Sequence, residues 1–228
     1  MATDTNRPQS RSSISLAVVV GLIVALFGSP LIGQLNISEW LATSTAGSVL
    51  FSAMVMWVLV AAVLAVVRYW ERRPLASIGL ELPDRRQAVV GVAGGVGGLV
   101  LGLLATGIAV AAFNLEQPDA LSAIAELSMP VKLAIVGTAV ITEEVLWRGY
   151  PIERLTEVTG SLFIGAVTSF VVFLAIHYPQ WGVVGAVPQA VFTFALVGVY
   201  VKTRNVVACI LTHTVINVAM VLVLPALI

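Results

Sequence analysis

The stretch VGTAVITEEVLWRGYPIERL, residues 136–155, decides how this chain folds. It begins as an apolar helix of the kind that lies in lipid. It then places two carboxylates, Glu143 and Glu144, side by side, with Arg148 one turn later. Asp, Lys or Arg near the centre of a membrane span costs about 2.5–3.5 kcal/mol to insert, so ionisable residues there mark functional sites by default.

The composition is that of a membrane protein with several spans. Of the 228 residues, 59% are hydrophobic and only 11% are charged, whereas soluble domains carry about 25% charged residues. The formal net charge is zero, so no basic surplus favours a nucleic-acid partner. The single cysteine, Cys209, cannot form an internal disulfide and says nothing about the redox compartment.

Seven apolar segments are long enough to cross a hydrocarbon core of about 30 Å, which needs roughly 20 helical residues. We therefore predict an all-α fold, a polytopic transmembrane helical bundle of about seven spans, with an eighth allowed. A polar cytoplasmic tail at 1–13 precedes a single membrane domain over 14–228. The predicted spans are 14–33, 46–68, 88–113, 131–149, 161–177, 183–201 and 205–226.

Charges in the connections predict the orientation. The tail and the even-numbered connections carry nearly all of the basic residues, and the odd-numbered ones are acidic apart from Lys132. Since basic residues stay on the cytoplasmic side, we expect a cytoplasmic N-terminus and a multi-pass protein of the cell membrane. Glycines at four-residue spacing in 91–102 predict a helix-packing face. The basic amphipathic segment 68–87 predicts an interfacial element, with substrate docking as the alternative.

Spacing sorts the polar residues of the spans. Glu144 and Arg148 are four residues apart, so they share a helix face and can pair. Glu143 lies about 100° around the helix from Glu144 and can point at a different neighbour. His213 and Asn217 are also four apart, and they present two polar groups in one direction.

Depth predicts which of these residues meet. On the predicted boundaries, Glu143 and His213 both lie roughly 12 Å from the cytoplasmic end of their spans. This equal depth predicts one shared site, which we expect to face the cytoplasm. His177 falls near the outer end of span five on the same boundaries, and it fits this depth less well.

The chemistry that this set supports is hydrolysis. A carboxylate and an imidazole can hold and deprotonate a water, while a second imidazole and an amide can donate to an oxyanion. In the alternative reading Glu143, His177 and His213 bind a divalent metal such as zinc, leaving a position open for water. A third reading is a structural polar network that only fixes helix register.

Three motifs in order resemble a known family: EEVLWR at 143–148, FLAIH at 173–177 and HTVIN at 213–217. At these intervals the chain resembles, over about 131–220, the CPBP family of intramembrane proteases. The acronym stands for CAAX prenyl endopeptidase and bacteriocin-processing, and the family is also called Abi. The resemblance implies a helical membrane fold with a water-filled cavity open toward the cytoplasm.

The resemblance also implies roles for six residues: water activation by Glu143 and His177, oxyanion stabilisation by His213 and Asn217, and orientation of the site by the pair Glu144 and Arg148. Such proteins are described both as metalloproteases and as glutamate-dependent proteases. We favour water activation without an obligatory metal.

The expected activity is an intramembrane endopeptidase acting on a hydrophobic or lipid-modified peptide or protein at the bilayer. The chain has a prokaryotic character, so a CAAX protein is not the expected substrate. The alternative is a non-catalytic membrane scaffold or a bacteriocin self-immunity protein. A transporter comes third, because no internal repeat of the kind found in transporters is visible.

Overall fold

The computed structural model describes residues 15–35, 44–114 and 119–224. The described residues are 89% helical and contain no strand. The prediction of an all-α, polytopic bundle is confirmed. The predicted tail at 1–13 lies outside the described residues.

The described residues form eight α-helices, which are α1 (Leu16–Gly33), α2 (Thr45–Ala65), α3 (Arg85–Phe113), α4 (Asp119–Ala125), α5 (Met129–Glu143), α6 (Tyr150–Thr159), α7 (Leu162–Thr203) and α8 (Val206–Asn217). π-Helical segments continue α2, α5 and α8 over Val66–Trp70, Glu144–Gly149 and Val218–Val223. A short 3₁₀ helix, Leu75–Ile78, precedes α3.

Five helices among the described residues are long and apolar enough to cross a membrane, namely Leu16–Gly33, Thr45–Trp70, Arg85–Phe113, Leu162–Thr203 and Val206–Val223. The predicted fifth and sixth spans are both contained in α7, which has 42 residues. This helix breaks at Gly182, where φ is 59° and ψ is −163°, a conformation open essentially only to glycine. The predicted fourth span corresponds to α5, with 15 residues, and the π-helical segment that follows it.

The helix that contains the opening stretch is longer than predicted. It does not end at 149 but continues through α6 to Thr159, and Gly160, with φ of 72°, makes the turn into α7. Glu143 and His177 lie equally far from Gly160 along the chain, so two antiparallel helices place them at the same depth. His177 therefore lies level with Glu143, five residues before the break at Gly182.

Helix α3 packs against α7 and α8 through its glycine face. An added Cβ at Gly91 would come within 2.4 Å of the carbonyl oxygen of Ala208, and one at Gly95 within 2.8 Å of that of Thr212. The Thr212 hydroxyl also donates a hydrogen bond to the Gly91 carbonyl at 2.7 Å. The predicted packing role of these glycines is confirmed, and α3 thereby supports the helix that carries His213.

We expect Gly91→Ala to lower the melting temperature of the detergent-solubilised protein by several degrees. The new methyl group would meet backbone, which cannot move aside, and overpacking of this kind costs about 1–3 kcal/mol. The matched control is Gly97→Ala in the same helix, where nothing lies within 4 Å of the added Cβ. A Gly91→Ala protein as stable as Gly97→Ala would contradict the close approach of α3 and α8.

Candidate active site

Glu144 lies at the centre of a buried polar cluster. Its side chain is completely buried, and its Oε1 accepts hydrogen bonds from Nη1 of Arg148 at 3.2 Å and from Nδ1 of His213 at 2.7 Å. The predicted pairing of Glu144 with Arg148 is present. The helices of the first and last motifs meet through the contact to His213, which Glu144 makes and not Glu143. Two donors on one oxygen hold this carboxylate in place.

Arg148 connects this cluster to α7. Its guanidinium carbon lies 4.0 Å from the ring centroid of Phe173, a cation–π contact in a place without solvent. Nε and Nη2 of Arg148, Oε2 of Glu144 and Nε1 of Trp147 are buried and have no hydrogen-bond partner among the described residues. Since buried polar groups are nearly always paired, these atoms are candidates to bind water or substrate.

His177 lies beside the same cluster, on α7. Its Nδ1 donates to the carbonyl oxygen of Phe173 at 2.7 Å, so in the neutral ring Nε2 carries the free lone pair. The ring centroid of His177 is 4.2 Å from that of Phe173 and 6.5 Å from that of Trp147. The first and second motifs are therefore in contact through their aromatic rings.

Glu143 and Asn217 are half-buried, and no side-chain hydrogen bond to either is found among the described residues. Glu143 precedes Trp147 by four residues, which places the two on one side of the helix, and Trp147 contacts His177. Glu143 is therefore the carboxylate on the α7 side, whereas Glu144 faces α8. Asn217 follows His213 by one turn, as the four-residue spacing predicts.

The segment Glu144–Gly149, called the π segment below, is wound more widely than the helices on either side of it. All six of its residues are buried, and the hydroxyl of Ser169 on α7 donates to the carbonyl oxygen of Trp147 within it. Short π-helical segments inside α-helices occur frequently at functional sites. No pattern in the sequence predicts this π-helical winding.

The metal alternative, with Glu143, His177 and His213 as ligands, stays a prediction. Among the side chains that the structure describes, no three from His, Cys, Asp and Glu are already grouped closely enough to hold a metal ion. Nδ1 of His213 donates to Glu144 and Nδ1 of His177 donates to the Phe173 carbonyl. Each ring therefore keeps Nε2 free, as a metal-binding histidine does.

A second polar cluster, which the sequence interpretation missed, lies directly beyond the π segment. Arg154 was interpreted as a loop residue, yet its side chain is completely buried and pairs with Glu71 at 2.7 Å. The hydroxyl of Tyr150 donates to the same carboxylate, also at 2.7 Å. The available signal was the spacing of Tyr150 and Arg154, which are four residues apart and so share a helix face.

The comparison with known protein families gave a match over the region that carries the three motifs. Residues 125–219 match the family model described as type II CAAX prenyl endopeptidase Rce1-like. Searches of curated proteins and of solved structures each found no match to this chain. The match spans the elements that carry Glu143, His177 and His213, and it agrees with the resemblance that the three motifs predicted. The match therefore supports the resemblance of this region to the CPBP/Abi family of CAAX-type intramembrane proteases.

Proposed function

We propose that the protein hydrolyses a peptide bond of a hydrophobic or lipid-modified substrate held in the bilayer. The observation that carries the proposal is the buried hydrogen bond between Glu144 and His213, because it fixes an imidazole from α8 beside the two carboxylates of the first motif. The family of residues 125–219 supports an endopeptidase. The residues present supply the groups that such a hydrolysis needs.

In this proposal Glu143 and His177 activate the attacking water. Glu143 is half-buried and unpaired among the described residues, so its carboxylate is available to accept a proton. His177 is oriented by the Phe173 carbonyl, which leaves Nε2 to accept a hydrogen bond from the same water. The water oxygen attacks the substrate carbonyl as its proton passes to Glu143, which returns that proton to the departing amine.

His213 and Asn217 stabilise the oxyanion. Nδ1 of His213 donates to Glu144, so Nε2 is the ring nitrogen left to contact the substrate, and in the imidazolium form it is a donor. The side-chain amide of Asn217, one turn further along α8, supplies a second donor. Donors fixed in advance at such a position contribute about 10²–10³-fold each to the rate. Arg148 holds Glu144, and through it His213.

The proposed topology places this site toward the cytoplasm of a multi-pass protein in the cell membrane. It rests on the distribution of basic residues between the connections, which favours a cytoplasmic N-terminus. In this topology the half-buried Glu143 and Asn217 meet the water of that side. The substrate class belongs to the same proposal, because a hydrophobic or lipid-anchored segment is the kind that stays in the bilayer.

The experiment that tests the proposed function is mass spectrometry of membrane peptides from cells expressing wild type or Glu143→Gln at matched levels. We expect a set of peptides whose new ends appear only with wild type, because glutamine keeps the shape of the side chain and cannot take the proton. The sequences around these ends would name the substrate class. Identical peptide sets from the two strains would reject the proposal in favour of a scaffold.

A further inference from the structure

We propose that residues 71–81 form a polar brace that sets the axial register between the helix of Glu143 and Glu144 and the helix of His213. Arg154 is the positioning residue at its centre. The inference rests on the proposed function, since register matters only if these residues act together. The brace touches neither Glu143 nor His213, and it acts through the backbone and through side chains of the elements that carry them.

Arg154 fixes one end of the brace to the helix that runs from Met129 to Thr159 and carries Glu143 and Glu144, called the site helix below. Its guanidinium donates four hydrogen bonds and forms an ion pair with Glu71. Nε donates to Glu71 at 2.9 Å, Nη1 donates to the Ser77 carbonyl at 3.1 Å and to Glu157 at 3.2 Å, and Nη2 lies 2.7 Å from the same Glu71 oxygen. Nη2 also donates to the Ser77 hydroxyl at 2.9 Å. A lysine has three donors on one nitrogen and cannot reproduce this planar fork.

Tyr150 adds a second contact at the same end. Its hydroxyl donates to Glu71 at 2.7 Å, and its ring lies 5.4 Å from the guanidinium carbon of Arg154. Burial raises the pKa of the Tyr150 hydroxyl well above its usual range, and the hydrogen bond to Glu71 raises it further. The hydroxyl therefore remains a donor at every physiological pH.

The other end of the brace holds the start of α8. The carbonyl oxygen of Gly79 accepts a hydrogen bond from the backbone N–H of Val206 at 2.8 Å. The carbonyl oxygen of Glu81 accepts one from the side-chain amide of Asn205 at 3.1 Å. The Oδ1 of Asn205 in turn caps α8 by accepting from the N–H of Ala208 at 2.9 Å. The first turn of the helix that carries His213 is thus tied to residues 79 and 81.

A close approach in the middle joins the three parts. An added Cβ at Gly149, the last residue of the π segment, would come within 2.6 Å of Val206 and 2.8 Å of the Ile78 carbonyl oxygen. The Tyr200 hydroxyl donates to Glu153 at 2.7 Å and lies 3.3 Å from that Ile78 oxygen. The site helix, the brace and the start of α8 therefore contact one another around Gly149.

The brace affects the site by fixing the relative position of two helices. The hydrogen bond between Glu144 and His213 joins two helices whose relative height is fixed by the brace about two to three turns away. A misplacement of about 1 Å in a catalytic arrangement costs about 10²-fold in rate. The brace should therefore affect the rate of the chemical step more than the binding of substrate.

The test uses the full chain in detergent and compares wild type, Arg154→Lys and Arg73→Gln. Arg73 is the matched control, because it lies on the same segment and pairs with Glu157, but at side chains that are 40% and 41% exposed. We expect Arg154→Lys to lower kcat at least about 10-fold with KM within about twofold, and Arg73→Gln to match wild type. A kcat unchanged in Arg154→Lys would overturn the proposal, as would a fall in both variants alike.

A second measurement does not depend on activity. Cys209 is the only cysteine and is completely buried on α8, so its reaction rate with a small uncharged thiol reagent reports on the seating of that helix. We expect faster labelling in Arg154→Lys than in wild type or Arg73→Gln, and an unchanged rate would overturn the brace. If wild type proves no more active than Glu143→Gln, the proposed function has failed and this labelling alone decides on the brace. Should Arg154→Lys not accumulate, Ser77→Ala, which removes one acceptor, is expected to show the same changes in smaller degree.

Discussion

Purified Glu143→Gln protein is expected to cleave its peptide substrate with a kcat lower by about 10²–10⁴-fold, the range that a general base contributes. Glutamine keeps the size and shape of the side chain, but it cannot accept the proton of the attacking water. Since Glu143 is half-buried and unpaired among the described residues, the change leaves no partner stranded. Its melting temperature should therefore stay within a few degrees of wild type.

The neighbouring carboxylate provides a sharp comparison. Glu144→Gln removes the charge that faces the buried Arg148 and His213, so it is expected to lower the amount of folded protein as well as the rate. Glu126→Gln, at an exposed position, should change neither. A Glu143→Gln enzyme with wild-type kcat would show that Glu143 does not act as the base.

Arg148→Ala is expected to remove most of the folded protein from the membrane. It would leave Glu144 buried with His213 as its one remaining partner, and breaking a buried pair in this way costs about 3–5 kcal/mol. Native proteins have only about 5–15 kcal/mol in total. The measurement is the quantity of membrane-inserted, detergent-extractable protein at matched messenger RNA levels.

A double variant separates the lost charge from the lost volume. Glu144→Leu combined with Arg148→Met removes both charges and keeps apolar bulk, so it should restore much of the protein that Arg148→Ala loses, although without activity. Normal levels of Arg148→Ala, or no recovery in the double variant, would contradict the view that an unpaired buried carboxylate is what destabilises the single variant.

The meeting of the first and last motifs was predictable from the sequence. The four-residue spacing predicted the pairing of Glu144 with Arg148, and equal depth predicted a shared site with His213, although Glu144 and not Glu143 makes the contact. The level position of His177 was not predicted, because the apolar window closed at 149. A window of mean hydropathy treats Arg148 and Arg154 as the end of a span, although both guanidinium groups are completely buried and paired.

The contact between residues 71–81 and the helix of Arg154 was beyond what the sequence could predict. Glu71 and Arg154 are both typical of an interfacial loop when each is considered with its neighbours in sequence. Only the fold brings them together, since their pairing depends on where residues 71–81 pass across the site helix. The π segment was equally inaccessible, because its residues form an ordinary apolar helical sequence and its winding depends on contacts with α7 and α8.

The winding of the π segment also determines what kinds of change the chain can accept. A π-helical turn holds one residue more than an α-helical turn, because its hydrogen bonds join residues five apart instead of four. Deleting one residue inside Glu144–Gly149 would let the segment close into an α-helix, and the helix beyond would keep nearly its present rotation. Deleting one residue from α6 between Tyr150 and Arg154 would instead turn everything beyond it by about 100° and move it by about 1.5 Å. Arg154 could then no longer reach Glu71 while Glu144 still reached His213. The spacing beyond the π segment is therefore part of the site, whereas the π segment itself can take up a change of one residue in length.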